Sequence, residues 1–359
     1  MGRWSNILKK NVHRIQLPRE VLIGNGVLNR VGEVCKNLGF TSRVLLLTGP
    51  RTYKIAAEKI VTTLERDGFE LASLIVRESE MKYIVMAQRK VATHSPEVIL
   101  GVGGGKVIDV GKIAALKCSL PFISVPTVAS HDGIASPRAS IKDFELTASI
   151  PAQTPAAIIA DTEIIRNAPY RLTASGCGDI ISKYTSVRDW KLAKEMKDQY
   201  YGEYAASLAV MSARLVMRNT KLIRKREEEG ISIVMEALIS CGIAMSIAGS
   251  SAPCSGAEHL FSHALDKISA TPALHGEQCG VGSIMMAHLH KANWKLVRNS
   301  LRKLKAPTTA EELGVKPEYI IRALTKAHTI RSDRYTILGE NGLNEQEAKH
   351  LAKVTGVIE

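Results

Sequence analysis

Four stretches of this sequence concentrate residues able to do chemistry. In GVGGGKVIDVGK (101–112), glycines follow an apolar run and open a helical pattern. Backbone N–H groups in such a turn approach an anion closely, and the start of the following helix adds a favourable dipole. It is not the dinucleotide fingerprint G-x-G-x-x-G, because Lys106 stands where the third glycine belongs, and no Ser or Thr follows the lysine as in a P-loop. The stretch reads as a phosphate cradle or, more plainly, as a tight strand-to-helix turn. PTVASHDGIASPRAS (126–140) crowds Thr127, Ser130, His131, Asp132, Ser136 and Arg138 behind a second apolar run. That suits the wall of a cofactor or substrate site, and equally a solvated loop with Ser and Asp turn chemistry. GCGDIISK puts Asp179 near the start of a helix, SGAEHLFSHAL puts His259 and His263 four apart on one helix face, and LHGEQCGVG puts His275 just before a further helix. A carboxylate and neutral imidazoles suit a borderline divalent ion such as zinc, and three ligands with an open position is the catalytic arrangement. The H-E-x-x-H pattern is absent, since Glu258 precedes His259 instead of following it. Singly, each histidine is as readily a hydrogen-bonded structural residue, and spacing alone does not bring Asp179, His259 and His275 together.

The elements that must position these residues fall into two halves. Short β-branched runs at 21–24, 43–49, 70–76, 97–103, 122–127 and 156–161 alternate with helical patterns at 27–38, 52–66, 80–93 and 106–117. Strand and helix in alternation predict a parallel sheet covered on both faces, with ligands at the carboxyl ends of its strands. Residues 137–150 alternate polar and apolar, as a hairpin would. Helical periodicity then dominates, at 171–188, 190–216, 231–249, 255–269, 278–291, 317–329 and 343–354. The reading is a Rossmann-like α/β domain over 1–165 and an all-helical domain over 166–359, with Asp161 and Thr162 capping a short connecting helix and the active site in the cleft between the domains.

Composition narrows the function class. The chain has 359 residues and 39.1 kDa, enough for about two domains at roughly 150 residues each. Forty-eight Lys and Arg against 35 Asp and Glu give a net charge of +13, suited to a nucleic-acid binder or to an enzyme for anionic substrates. The charges are dispersed and no aromatic stacking or helix-turn-helix motif is present, so no nucleic-acid partner is expected. Six cysteines without a C-x-x-C pair fit a reducing cytoplasm. Lys9, Lys10, His13 and Arg14 interrupt any apolar leader. Residues 231–252 carry one charge, Glu236, over a length near a bilayer's thickness; their Ser, Gly and Ala content predicts a buried core helix and no membrane insertion.

Together, GGGKVID, TVASHDGIASPRAS, GDIISKYTSVRDW, SGAEHLFSHAL and HGEQCGVG resemble, in order and spacing, the archaeal sn-glycerol-1-phosphate dehydrogenase family, within the larger group of metal-dependent polyol dehydrogenases and dehydroquinate-synthase-like proteins. The resemblance runs from about residue 15 to residue 355. It implies the two-domain fold above and the reversible reduction of dihydroxyacetone phosphate to sn-glycerol 1-phosphate with NADH or NADPH, which supplies the glycerophosphate backbone of archaeal membrane lipids. It also implies residue roles: Gly105, Lys106, Val107, Ile108, Asp109, Thr127, Val128, Ala129, Ser130 and Ser136 toward the cofactor, Asp132, Asp179 and His263 toward the substrate, and Asp179, His259 and His275 as zinc ligands. Asp179 and His263 are then the catalytic pair, with His263 or Asp132 as proton donor.

The residues add detail. The second strand ends in Thr48-Gly49-Pro50-Arg51 without the acid that holds an NAD ribose, so NADPH is expected to serve as well as NADH, with Arg51 or Lys54 near its extra phosphate. Lys183 and Arg138 are candidates for the substrate phosphate. The apolar helical half predicts a homo-oligomer. The rival functions are a polyol dehydrogenase acting on an uncharged substrate such as glycerol, and a dehydroquinate-synthase-like cyclase.

Overall fold

The computed structural model describes residues 13–142 and 149–359. Lys9 and Lys10, and the centre of the 137–150 stretch, lie outside the described residues. Strands β1 (Glu20–Gly24), β2 (Arg43–Thr48), β3 (Glu70–Ile75), β4 (Val98–Gly103), β5 (Phe122–Pro126) and β8 (Ala157–Asp161) form one sheet in the order β1-β8-β5-β4-β2-β3, parallel throughout. The short strands β6 (Arg138–Ser140) and β7 (Ser149–Pro151) pair antiparallel, as the alternation of 137–150 predicts.

Helices α1 (Val31–Asn37), α2 (Pro50–Thr52), α3 (Glu58–Arg66), α4 (Met81–His94) and α5 (Gly105–Cys118) return the chain between strands. Alternate residues of each strand face opposite layers. Val44 and Leu46 of β2 pack with Ile60 and Leu64 of α3, whereas Leu45 and Leu47 pack with Ile84 of α4 and Ile108 of α5. Both faces are thus covered, and the strands are almost continuously apolar, as a doubly wound sheet requires. The chain runs outward from β2 to β3 and then back across β2 to β4, which opens a crevice beyond the carboxyl ends of β2 and β4.

After β8, Asp161 caps α6 (Thr162–Asn167) by accepting from the Glu163 N–H at 3.2 Å. Helices α7 (Tyr170–Lys197), α8 (Glu203–Arg218), α9 (Thr220–Lys225), α10 (Glu228–Ala248), α11 (Ala257–Ile268), α12 (His275–Leu289), α13 (Trp294–Lys303), α14 (Ala310–Leu313), α15 (Pro317–Lys326) and α16 (Glu345–Val354) complete the fold. The expected helices 171–188 and 190–216 need correction. The first continues unbroken to Lys197, and the stop comes at Asp198, which takes a left-handed backbone at φ 49°. No proline or glycine stands near residue 189 to end the helix, and Trp190 is buried and carries its packing on. By length and composition α10 could cross a membrane, but most of it is buried against α8, α9, α6, α7 and β1.

Candidate active site

Three packing contacts bring the chemistry together. Helix α7 meets α12 backbone to backbone: a Cβ on Gly276 would lie 1.9 Å from the Ser175 carbonyl oxygen, and one on Gly178 would lie 2.2 Å from the Gly276 carbonyl. Only glycine permits that approach. It sets Asp179, one residue past Gly178, beside His275 at the first turn of α12. Helix α11 is fixed onto α7 by buried Asp189, whose carboxylate accepts from the Ala257 N–H at 2.7 Å, the Ile337 N–H at 2.7 Å and His290 Nε2 at 2.9 Å. The loop after β5 is held by Lys112, fully buried on α5, which donates to the carbonyls of Gly133 (2.6 Å), Ser136 (3.4 Å) and Arg138.

The three proposed ligands converge. His259 Nε2 lies 3.5 Å from Asp179 Oδ1, and the His259 and His275 rings are 5.0 Å apart between centroids. The hydrogen bonds assign both imidazole tautomers. His259 Nδ1 bonds Glu258 Oε1 at 2.8 Å, which leaves Nε2 bare toward Asp179. Ser262 gives its one proton to Gln278 Oε1 at 2.8 Å, so at 3.3 Å it accepts from His275 Nδ1 and leaves that Nε2 without a hydrogen, 3.6 Å from the Cys279 thiol. Glu258 is itself fixed by the Gly256 N–H at 2.7 Å and the Thr185 hydroxyl at 2.7 Å. Carboxylates that orient ligating histidines in this way are typical of metal sites.

The electrostatics favour a cation. Two carboxylates, Asp132 and Asp179, share one ammonium, Lys183, which lies 2.6 Å from Asp179 and 2.8 Å from Asp132. Burial works against a charged Asp179, but Lys183 and the two imidazoles hold its pKa well below the carboxylate range. Burial likewise opposes a proton on His259, yet Cys279, Asp179 and Glu258 carry its pKa well above the usual value, whereas burial and His259 hold His275 well below. Acids that raise the cation affinity of a buried imidazole make a site that prefers positive charge, and the donor set fits a divalent metal ion that would take the Nε2 lone pairs. Cys279, one turn after His275, completes a cluster in which its thiol and one nitrogen each of His259 and His275 lie within 4.8 Å of one another.

A cavity of about 200 Å³ opens over this set, lined among others by Asp132, His263, His259 and His275. His263 stacks on His275 at 5.8 Å between centroids. Asp132 touches Asp179 through its main chain, its N–H donating to Asp179 Oδ2 at 2.9 Å.

The expected cofactor residues edge the crevice at the ends of β4 and β5. A Cβ on Gly105 would collide with His131 Nε2 at 2.1 Å, so this glycine lets the imidazole lie on the turn. Lys106 points out and pairs with Glu78 at 2.8 Å. Val107 and Ile108 bury their side chains in the sheet, so only their main chain faces the crevice. Asp109 accepts from the Ser140 N–H at 3.1 Å and lies 3.1 Å from Lys112, bracing the start of the hairpin. Thr127 is buried, and its hydroxyl finds no hydrogen-bond partner among the described residues. Val128 packs at 3.4 Å from where a Gly104 Cβ would stand, and the Ala129 carbonyl abuts Gly176 on α7. The Ser130 carbonyl accepts from the Ser175 hydroxyl at 3.4 Å, and Ser136 lines the cavity.

One expectation is overturned. Lys183 does not reach for a substrate phosphate: it is fully buried and spent on Asp179 and Asp132. Glu258, Lys112 and Cys279 were missed as parts of the site. The signal for Glu258 was its adjacency to His259, and for Cys279 its spacing of four from His275. Nothing local marked Lys112.

Comparison with known proteins gives this site a family. Residues 22–169 match the family described as iron-containing alcohol dehydrogenase. The chain is 54% identical to glycerol-1-phosphate dehydrogenase, NAD(P)+, from Methanothermobacter thermautotrophicus, over 96% of this chain and 99% of that one. It is 51% identical to the protein of the same name from Thermococcus kodakarensis, over 98% of this chain and all of that one. The chain belongs to the glycerol-1-phosphate dehydrogenase family. Its fold is that of glycerol dehydrogenase from Schizosaccharomyces pombe (TM-score 0.79, 23% identity, 96% of this chain and 90% of that one) and of maleylacetate reductase from Agrobacterium tumefaciens (TM-score 0.75, 17% identity, 96% and 98%). The expected Rossmann-like sheet followed by helices is therefore the family's fold.

Proposed function

We propose that this chain catalyses the reversible reduction of dihydroxyacetone phosphate to sn-glycerol 1-phosphate with NADH or NADPH, assisted by one zinc ion. The observation that carries the reading is the convergence of Asp179, His259 and His275, from three separate helices, under a cavity at the carboxyl ends of a parallel sheet. Relatives at 54% and 51% identity bear the corresponding name. The bare Nε2 atoms of His259 and His275 and the carboxylate of Asp179 would hold the metal, and imidazole with a neighbouring thiol suits zinc. When bound, the metal supplies Lewis-acid polarisation of the substrate carbonyl, and the reduced nicotinamide supplies the hydride.

The chain's own residues do the rest. Glu258 and Ser262 lock the two imidazoles, so the ligand atoms need no reorganisation. Lys183 pairs with both Asp179 and Asp132 and holds Asp179 ionised without entering the cavity. Asp132, fixed by its main-chain bond to Asp179, orients the substrate hydroxyl, and His263 delivers the proton that the product oxygen takes up. The turn Gly104–Lys106 and the loop 127–130 carry the dinucleotide, and the absence of an acid after β2 admits NADPH as well as NADH. The protein acts in the cytoplasm, in the synthesis of membrane-lipid glycerophosphate, as a homo-oligomer. Exposed Tyr204 and Met211 on α8 support the last point.

The test pairs metal analysis with a chiral assay of the glycerophosphate. Stoichiometric zinc and the sn-1 enantiomer are expected, and His259→Ala should lose both metal and turnover. Retained activity in that variant, or faster turnover of dihydroxyacetone than of its phosphate, would overturn the reading; the second result would point to an uncharged polyol substrate.

A further inference from the structure

The cavity over the ligand set has one basic side chain from Lys or Arg in its lining, Arg138 of β6. Its guanidinium is held by Ser149, through Nε to Oγ at 3.1 Å and through Nη2 to the carbonyl. Two more guanidiniums reach the same wall from the loop after α15. Arg334 Nη2 and Arg331 Nη1 both donate to the hydroxyl of Ser251, at 3.1 and 3.4 Å, and Ser251 lines the cavity. Arg334 also donates to the carbonyl of Ser255, a further lining residue. The loop is anchored just beyond, where the Ile337 N–H binds Asp189 at 2.7 Å.

The charges do not balance. Arg331 pairs with Asp333 at 2.7 Å, but among the described residues neither Arg138 nor Arg334 has a carboxylate within ion-pair distance. The acids in the cavity lining have basic partners elsewhere, Asp109 in Lys112 and Asp132 in Lys183, which it shares with Asp179. Burial, and then the neighbouring Arg331, hold both Arg138 and Arg334 down at about 10, so the guanidiniums feel one another. Three cations against one acid leave two positive charges, the complement of a phosphate monoester carrying about two negative charges near neutral pH. Ser251 accepts from two arginines, which frees its own proton to donate into the cavity.

We propose that Arg138, Arg331 and Arg334, with the Ser251 hydroxyl, form the subsite for the substrate's phosphate. The proposal rests on the functional reading above. It places the specificity for a phosphorylated three-carbon ketone partly in a C-terminal loop, since Arg331 and Arg334 are remote in sequence from every motif of the catalytic set. A guanidinium–phosphate contact is a charge-assisted hydrogen bond and is frequently bidentate, so its loss is felt strongly.

The experiment uses the metal-loaded enzyme and compares dihydroxyacetone phosphate, dihydroxyacetone, NADH and inorganic phosphate across R138Q, R334Q, R334K and S251A. For R138Q and R334Q, kcat/KM for the phosphorylated ketone should fall about 10²–10³-fold, and its ratio to that for dihydroxyacetone should collapse with it. Inhibition by inorganic phosphate should weaken in parallel, R334K should recover part of the loss, and S251A should show a smaller loss of the same kind. Equal loss on both ketones overturns the proposal. So does a rise in the KM for NADH with the phosphorylated ketone unaffected, which would assign the cluster to a dinucleotide phosphate. A wild-type enzyme that does not prefer the phosphorylated ketone would sink the functional reading instead. Calorimetric titration of inorganic phosphate into wild type and R334Q then still decides the cluster, with equal affinities counting against it.

Discussion

Replacing Gly276 with alanine tests whether the site depends on the close approach of α7 and α12. The new methyl would stand 1.9 Å from the Ser175 carbonyl oxygen and 2.9 Å from its hydroxyl. The nearer atom is backbone in the second turn of a buried helix, so no side-chain rotation relieves the clash. An ordinary carbon–oxygen contact needs about 3.3 Å, so the helices must part by about 1.4 Å at this level. Overpacking of this kind costs about 1–3 kcal/mol, and alanine's helical advantage returns at most about 1 kcal/mol. Net destabilisation of about 0–2 kcal/mol should lower Tm by at most a few degrees. The larger effect is on chemistry, since His275 sits one residue and Asp179 one helical turn from the point of separation, and a misplacement of about 1 Å costs on the order of 10² in rate. Calorimetry, metal content under limiting zinc and kcat measure the three consequences. Gly280→Ala on the same helix is the control: its methyl would meet the flexible end of Leu301 at 3.2 Å, and stability and kcat should stay near wild type. A Gly276→Ala enzyme with full metal content and wild-type kcat would refute the role assigned to this contact.

Three further outcomes are expected. Glu258→Gln keeps the shape but weakens the hold on His259 Nδ1, and zinc affinity measured by chelator competition should fall about 10–100-fold; an unchanged affinity would remove Glu258 from the site. Tyr170 donates its hydroxyl to the Leu304 carbonyl at 2.8 Å, and burial raises its pKa to about 12. A raised folded-state value means the contribution is complete below the unfolded value of about 10 and is lost as pH rises toward 12, so stability should decline over that window less steeply in Tyr170→Phe. Of the six free cysteines, Cys118 is partly exposed and the other five are buried, with Cys35 pushed up to about 12. One thiol per chain should therefore react rapidly with a disulfide reagent in the native protein, and rapid reaction of several would show that the helical core opens readily.

Much of the fold was legible locally. The six strands of the sheet and the helices between them follow from apolar runs of strand length alternating with amphipathic stretches, a pattern set by residues within a few positions of one another. The end of α7 was not legible, because Asp198 stops the helix through a left-handed backbone that its residue type does not announce, and the division expected near 189 has no proline or glycine to mark it. The candidate ligand residues were legible as types, and their grouping through the family resemblance, but Lys183 was misjudged. A lysine one turn from an aspartate reads as free to grip a substrate until the fold buries it between two carboxylates.

Residue type and short-range periodicity determined which segments are strand or helix and which side chains are chemically able to serve. The tertiary structure alone decided which of them meet. Asp179, His259 and His275 lie on different helices, and their distances depend on glycine contacts and on a buried aspartate joining helices far apart in the chain. Arg331 and Arg334 reach Ser251 on the cavity wall only because their loop folds back onto it. Local conformational preference decays within a few residues, whereas a site is assembled by packing, and packing is a property of the whole chain.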